Sequence, residues 1–281
     1  MLSSSDSMTR VWGIAALLLS AAMCGCGAAS HSHGGSSSPT PTPTGTSTPA
    51  PIAAYCQITV TGKGVKAMED DYLPHVVHCE NGGAGPEALK EQAVAARSYA
   101  YYKIETSGAV SDGQGDQVYT CSSGPTQAEI DAVNATRGQI LVYHGDVIAA
   151  FFVAGAKPSN HTSCVATASD PDSTNTEQYV TYNEGKSGTQ VTQTTLGYVN
   201  PSNYRNRGCM SQWGSRCLDS AGASYADMVQ FYYGMDIGLD TAPGTCTTGV
   251  AAPEPPVGVA TPMPPPESLW APEMRVGPSA P

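Results

Sequence analysis

Lysine and arginine are scarce in this chain: 13 stand against 24 aspartates and glutamates in 281 residues, for a net charge of −11. Nucleic acid is held mainly through cationic contacts to phosphates, so the lack of a basic stripe argues against it as a partner. Charge of either sign is sparse, at 13% of residues, while 40% are apolar. The chain is therefore neither a highly charged disordered polymer nor a protein with several membrane spans. Phe and Trp number three each, against 14 Tyr. Tyrosine joins an apolar ring to a hydroxyl and suits wet, polar binding faces.

What is present at the two ends is low in complexity. An apolar run over residues 11–23 is too short for a permanent membrane helix but fits the core of an export signal. It ends in Met23-Cys24-Gly25-Cys26-Gly27, where Cys26 after a small residue resembles a lipoprotein lipidation site. Residues 1–26 are thus expected to be an export or lipoprotein signal, cleavable in either case, with membrane attachment through a lipid on Cys26. Residues 27–51 form a Ser/Thr/Pro-rich tether, and residues 247–281, with ten prolines, a Pro-rich disordered tail. Between them lies one folded core, 52–246. It keeps the acidic balance, with 11 basic and 20 acidic residues.

Seven cysteines fall in that core: Cys56, Cys79, Cys121, Cys164, Cys209, Cys217 and Cys246. In an oxidising exported compartment at least two disulfides are expected, with an odd thiol left over and the pairing open. No Cys-x-x-Cys occurs there. The one close His/Cys group, His75, His78 and Cys79, reads as ordinary helix residues, so neither a metal nor another cofactor is expected.

Residues 55–60 alternate like a strand and end at Thr61-Gly62-Lys63-Gly64. Asp70 or Asp71 is placed to cap a helix over 72–79, stopped by Asn81-Gly82-Gly83. A longer helix opens at Pro86 and closes before Gly108, with Leu89, Ala93, Ala96, Ala100 and Ile104 at helical spacing. Thr126-x-x-Glu129 is a capping box, as is Ser224-x-x-Asp227 ahead of Met228, Phe231 and Tyr232. Runs 139–143 and 147–153 around His144-Gly145 read as a hairpin. Residues 178–182 and 189–194 are weak strand candidates. Helices and hairpins without a βαβ rhythm give an α+β class.

Two segments carry a resemblance: Tyr72-Leu73-Pro74-His75-Val76-Val77-His78-Cys79-Glu80, and the helix from Pro86-Glu87-Ala88-Leu89-Lys90 to Arg97-Ser98-Tyr99-Ala100. With Ala135-Thr136-Arg137-Gly138, Ala150-Phe151-Phe152 and Met210-Ser211-Gln212-Trp213-Gly214 in the same order, the core resembles the SpoIID/LytB family, which acts on bacterial peptidoglycan. The resemblance implies a lytic transglycosylase in one branch, with Glu80 as its general acid and base. In the other it implies a glycan-binding module that stimulates a separate cell-wall amidase. Peptidoglycan glycan strands are the implied partner in both. A carboxyl at a helix C-terminus feels the negative end of the dipole, which raises its pKa toward what a general acid needs. Gln92, Arg97, Tyr99, Ser211, Gln212 and Trp213 are the residues expected to orient or stack on the sugar, with helix packing as the alternative for each.

The chain departs from the family pattern at three places. Ser111, Gly115 and Asp116 stand where some members hold metal ligands ahead of Gln117-Val118-Tyr119. Ala154-Gly155-Ala156-Lys157 replaces Ser-Ser-Gly-Gly, and Arg207-Gly208-Cys209 replaces Gly-His-Gly-Val. These losses surround the expected groove and bear on turnover rather than on fold. Cys56, Cys79 and Cys246 are candidates to pin locally what a metal would otherwise hold.

Overall fold

The computed structural model describes residues 52–242 and Gly244. The expected signal, tether and tail, with Cys24, Cys26 and Cys246, lie outside them. Among the described residues five α-helices alternate with seven short strands, an α+β architecture as the sequence indicates.

The first strand, β1 (Gln57–Val60), turns back antiparallel onto β2 (Gly64–Ala67). One π-helical turn, Met68–Tyr72, then runs straight into α1 (Leu73–Asn81). The expected aspartate cap is not used, because the chain enters α1 already helical. Asp70 instead pairs with Arg137 at 2.6 Å and Asp71 accepts from the Tyr119 hydroxyl at 2.8 Å.

Helix α2 (Pro86–Ser107) is the axis of the fold. Pro86 begins it where a missing N–H costs nothing. Gly108, at φ +73°, ends it in the left-handed conformation, its N–H reaching the carbonyls of Lys103 and Ile104. The run from Ala88 to Tyr101 is almost wholly buried around the full circumference, as for a helix surrounded on all sides. Leu89, Ala93, Ala96 and Ala100 face one apolar cluster with α1, α3 and β1. Val94 and Ala95 face a second with Leu141, Met210, Val229 and Phe231. The small alanines let these neighbours approach closely.

Helix α3 (Gln127–Ala135) starts at the Thr126/Glu129 capping box. Strand β3 (Gln139–Tyr143) turns at His144 and Gly145, both with positive φ, into β4 (Asp146–Val147). The expected second hairpin strand then breaks. β5 (Phe151–Val153) leaves that sheet to pair in parallel with β6 (Cys209–Ser211), while β7 (Gly238–Thr241) takes the other side of β3.

Neither 178–182 nor 189–194 is a strand; short 3₁₀ turns stand at Glu177–Tyr179 and Gly188–Gln190. Side chains supply there what a partner strand would. Buried Asn183 donates to the carbonyls of Thr192, Arg207 and Tyr232 and accepts from the Thr192 N–H. Such local polar bonding competes with sheet pairing in Thr- and Asn-rich segments. Two helices, α4 (Gln212–Ser220) and α5 (Tyr225–Tyr233), stand between β6 and β7, α5 behind the Ser224/Asp227 box.

Candidate active site

Helix α1 ends where Gly82 N–H bonds the His78 carbonyl, so Glu80 sits in the final turn. Its two carboxyl oxygens meet different parts of the chain. Val118 N–H donates to Oε1 at 2.7 Å, and Gln212 Nε2, from the first residue of α4, donates to Oε2 at 3.1 Å.

Both donors are themselves held. Gln117, next to Val118, is buried with its Oε1 accepting from the Tyr72 hydroxyl at 2.5 Å and its Nε2 donating to the Ala96 carbonyl at 3.1 Å. The Cys79–Cys121 disulfide, with Cα atoms 5.6 Å apart, fastens the last turn of α1 to the same loop. Cys79 therefore pairs with Cys121 and not with Cys56 or Cys246. Cys56 is a free thiol, and a second disulfide joins Cys164 to Cys217. Gln212 stands behind its own cap, for the Ser211 hydroxyl accepts from Gly214 N–H at 3.0 Å. A Cβ on Gly214 would fall 2.2 Å from the Tyr232 hydroxyl, so only glycine lets α4 approach α5 this closely.

Burial raises the Glu80 pKa above the usual glutamate range, while the Val118 N–H and the Gln212 amide hold it down in part. The helix end is the cause expected from sequence; the raising cause found in the structure is desolvation. At the N-terminal end of the same helix, burial raises the Tyr72 hydroxyl well above its ordinary value, with the carboxylates of Asp116, Glu80 and Asp112 adding to it.

The other expected site residues divide. Gln92 Oε1 lies 3.5 Å from Gln212 Nε2, so Gln92 backs the residue that holds Glu80. Arg97 is in the core: its Nε and Nη2 grip the Glu69 carboxylate at 2.7 Å each, and Nη1 donates to the Gln139 carbonyl at 3.1 Å. It is fully buried, and it ties α2 to the π-turn and β3. Tyr99 is buried against Phe151, donating to Asp116 Oδ1 at 2.8 Å. Ser211 is a fully buried cap. Trp213 is half-buried, with Lys157 Nζ 5.3 Å and the Arg216 guanidinium 4.9 Å from its ring centroid.

Two partners of the C-terminal end of α1 were missed by sequence reasoning. Val118 acts through its backbone, which leaves no side-chain signal. Arg216 is four residues beyond Gln212 and shares its helix face, but Gly214 hides the helix that would reveal the spacing. Beside the Val118 loop lies an open depression of about 370 Å³, lined by His75, Tyr119 and residues 120–124. The ring of Tyr119 stacks on Tyr72 with centroids 5.8 Å apart.

Residues 63–143 match the family model of the stage II sporulation protein SpoIID. Over this segment the chain carries a SpoIID domain. The SpoIID match takes in α1, α2, α3 and the Val118 loop, and so Glu80, Gln92, Arg97 and Tyr99, while Ser211, Gln212 and Trp213 lie beyond it. This domain points to a cell-wall-related function. None of the curated proteins compared with the chain matches it.

Proposed function

We propose that this SpoIID-family protein binds the glycan strands of bacterial peptidoglycan and cleaves them as a lytic transglycosylase, with Glu80 as the single acid and base. The observation that carries this reading is a glutamate at a helix end, held at both oxygens yet still raised in pKa by burial. Protonated Glu80 gives its proton to the glycosidic oxygen as the bond to the anomeric carbon breaks. The muramic acid 6-hydroxyl then closes on that carbon, and its proton passes to the Glu80 carboxylate. The proton balance closes within the site and no water is consumed. One carboxyl suffices because the nucleophile belongs to the substrate, unlike in paired-carboxylate hydrolases.

A second reading is a glycan-binding module that stimulates a separate cell-wall amidase. It is favoured by the bonds themselves, since both donors to Glu80 stabilise its ionised rather than its acid form. Incubation of the full chain with purified sacculi, alone and with an amidase, separates the two. Anhydro-sugar products from the chain alone support cleavage; faster amidase release without them supports stimulation.

We further propose that the protein works outside the cytoplasm, attached to the membrane through a lipid on Cys26. Two disulfides fit an oxidising compartment. Cys26→Ser should move the protein from membrane to soluble fractions, and continued membrane attachment would contradict the attachment site.

A further inference from the structure

Eight of the eleven lysines and arginines among the described residues are ion-paired with carboxylates. Of the other three, Lys186 is folded onto oxygens of Tyr182, Asn183 and Thr192. The remaining two, Lys157 and Arg216, each lie over the ring of Trp213. Lys157 is exposed, and among the described residues that ring is the one partner of its ammonium. Arg216 donates from Nε to Asn81 Oδ1 at 2.8 Å and from Nη2 to the Gly82 carbonyl at 2.9 Å. Both acceptors are neutral, and both belong to the C-terminal end of α1, immediately after Glu80.

The chain carries a net charge of −11, yet these two cations have no carboxylate of their own and both lie over the ring of Trp213. An anion arriving beside either cation meets no competing carboxylate. A guanidinium fixed on two sides presents a preorganised face to a planar anion, and the lysine adds a mobile point charge. The acidic groups of a peptidoglycan strand are carboxylates, on the lactyl ether of the sugar or on the peptide attached to it.

We propose that Lys157, Trp213 and Arg216 form a carboxylate-binding subsite beside Glu80. It takes the acidic substituent of the sugar next to the scissile bond, and it rests on the glycan-binding reading above. Trp213 contributes the ring over which both cations sit.

The test is titration of the full chain, wild type and Lys157→Glu, against three glycan preparations. One is peptide-free with free lactyl carboxylates, one is the same material amidated to neutral amides, and one retains its stem peptides. Wild type should bind the free-carboxylate glycan about tenfold more tightly than the amidated form, the scale of one charge-assisted hydrogen bond. Lys157→Glu should erase that preference, and Lys157→Arg should restore it. Tighter binding of the peptide-bearing glycan than of the peptide-free one, with the same sensitivity to Lys157→Glu, assigns the carboxylate to the peptide; the reverse order assigns it to the lactyl group. Equal wild-type affinity for free and amidated glycan, or an equal loss on both in Lys157→Glu, overturns the subsite while leaving the glycan reading intact. Failure of wild type to bind any of the three overturns that reading and the subsite with it.

Discussion

Gln212 Nε2 and Glu80 Oε2 are 3.1 Å apart although 132 residues separate them in sequence. The bond places the start of α4 against the end of α1, and it sets how easily Glu80 loses its proton. The amide favours the carboxylate, so its removal should favour the acid. Gln212→Leu keeps the bulk and deletes the donor. The expected outcome is a Glu80 pKa higher than in wild type, read by carboxyl NMR titration; an unchanged or lower value would show that the bond has no electrostatic effect.

Burial of Glu80 also has a sign for stability. Its folded pKa lies above its unfolded value. Its contribution is therefore most favourable below the ordinary glutamate range and is lost as pH rises through the folded pKa. Glu80→Gln should match wild type in acid and exceed it in thermal stability at about pH 8. Denaturation curves at the two pH values measure this, and a variant less stable than wild type at the higher pH would refute it.

Arg97 and Glu69 form a bidentate pair with both side chains almost fully buried. Removing one partner leaves a buried charge uncompensated. Arg97→Ala should cost about 3–5 kcal/mol in urea unfolding, whereas Arg97→Met with Glu69→Leu should recover much of it. A single variant that unfolds like wild type would contradict a structural role for the pair.

How far the sequence reached depends on how local each cause is. Helix α2 is legible because Pro86, Gly108 and the alanine spacing are all local signals, and both capping boxes show themselves within four residues. Glu80 is found near a helix end because Asn81-Gly82-Gly83 stops the helix. Arg97 looked like a ligand-binding residue because Glu69, its partner, lies 28 residues away. The strand candidates at 178–182 and 189–194 failed because bonds from Asn183 replace a sheet, and those bonds exist only in three dimensions. Helix α4 was hidden by Gly214, whose presence answers to the Tyr232 hydroxyl on another helix.

Cys79 and Cys121 close a loop with a sequence separation of 42. Cys79→Ser with Cys121→Ser should lower unfolding stability by about 4 kcal/mol on the chain-entropy account. It should also loosen the Val118 loop around Glu80, seen as faster amide exchange at Val118. Wild-type exchange there would mean the loop is held without the disulfide. Alkylation of the native protein should label Cys56 ahead of Cys209, whose buried thiol is pushed far from ionisation.

The central claim is that Glu80 moves the proton in glycan cleavage, and product analysis tests it most directly. Wild-type protein and Glu80→Gln are each incubated with stem-peptide-free glycan, and the products are resolved by mass spectrometry. The account predicts 1,6-anhydro sugars from wild type, none above background from Glu80→Gln, and retained glycan binding in the variant. Anhydro products from Glu80→Gln at the wild-type rate, or none from wild type, would contradict it.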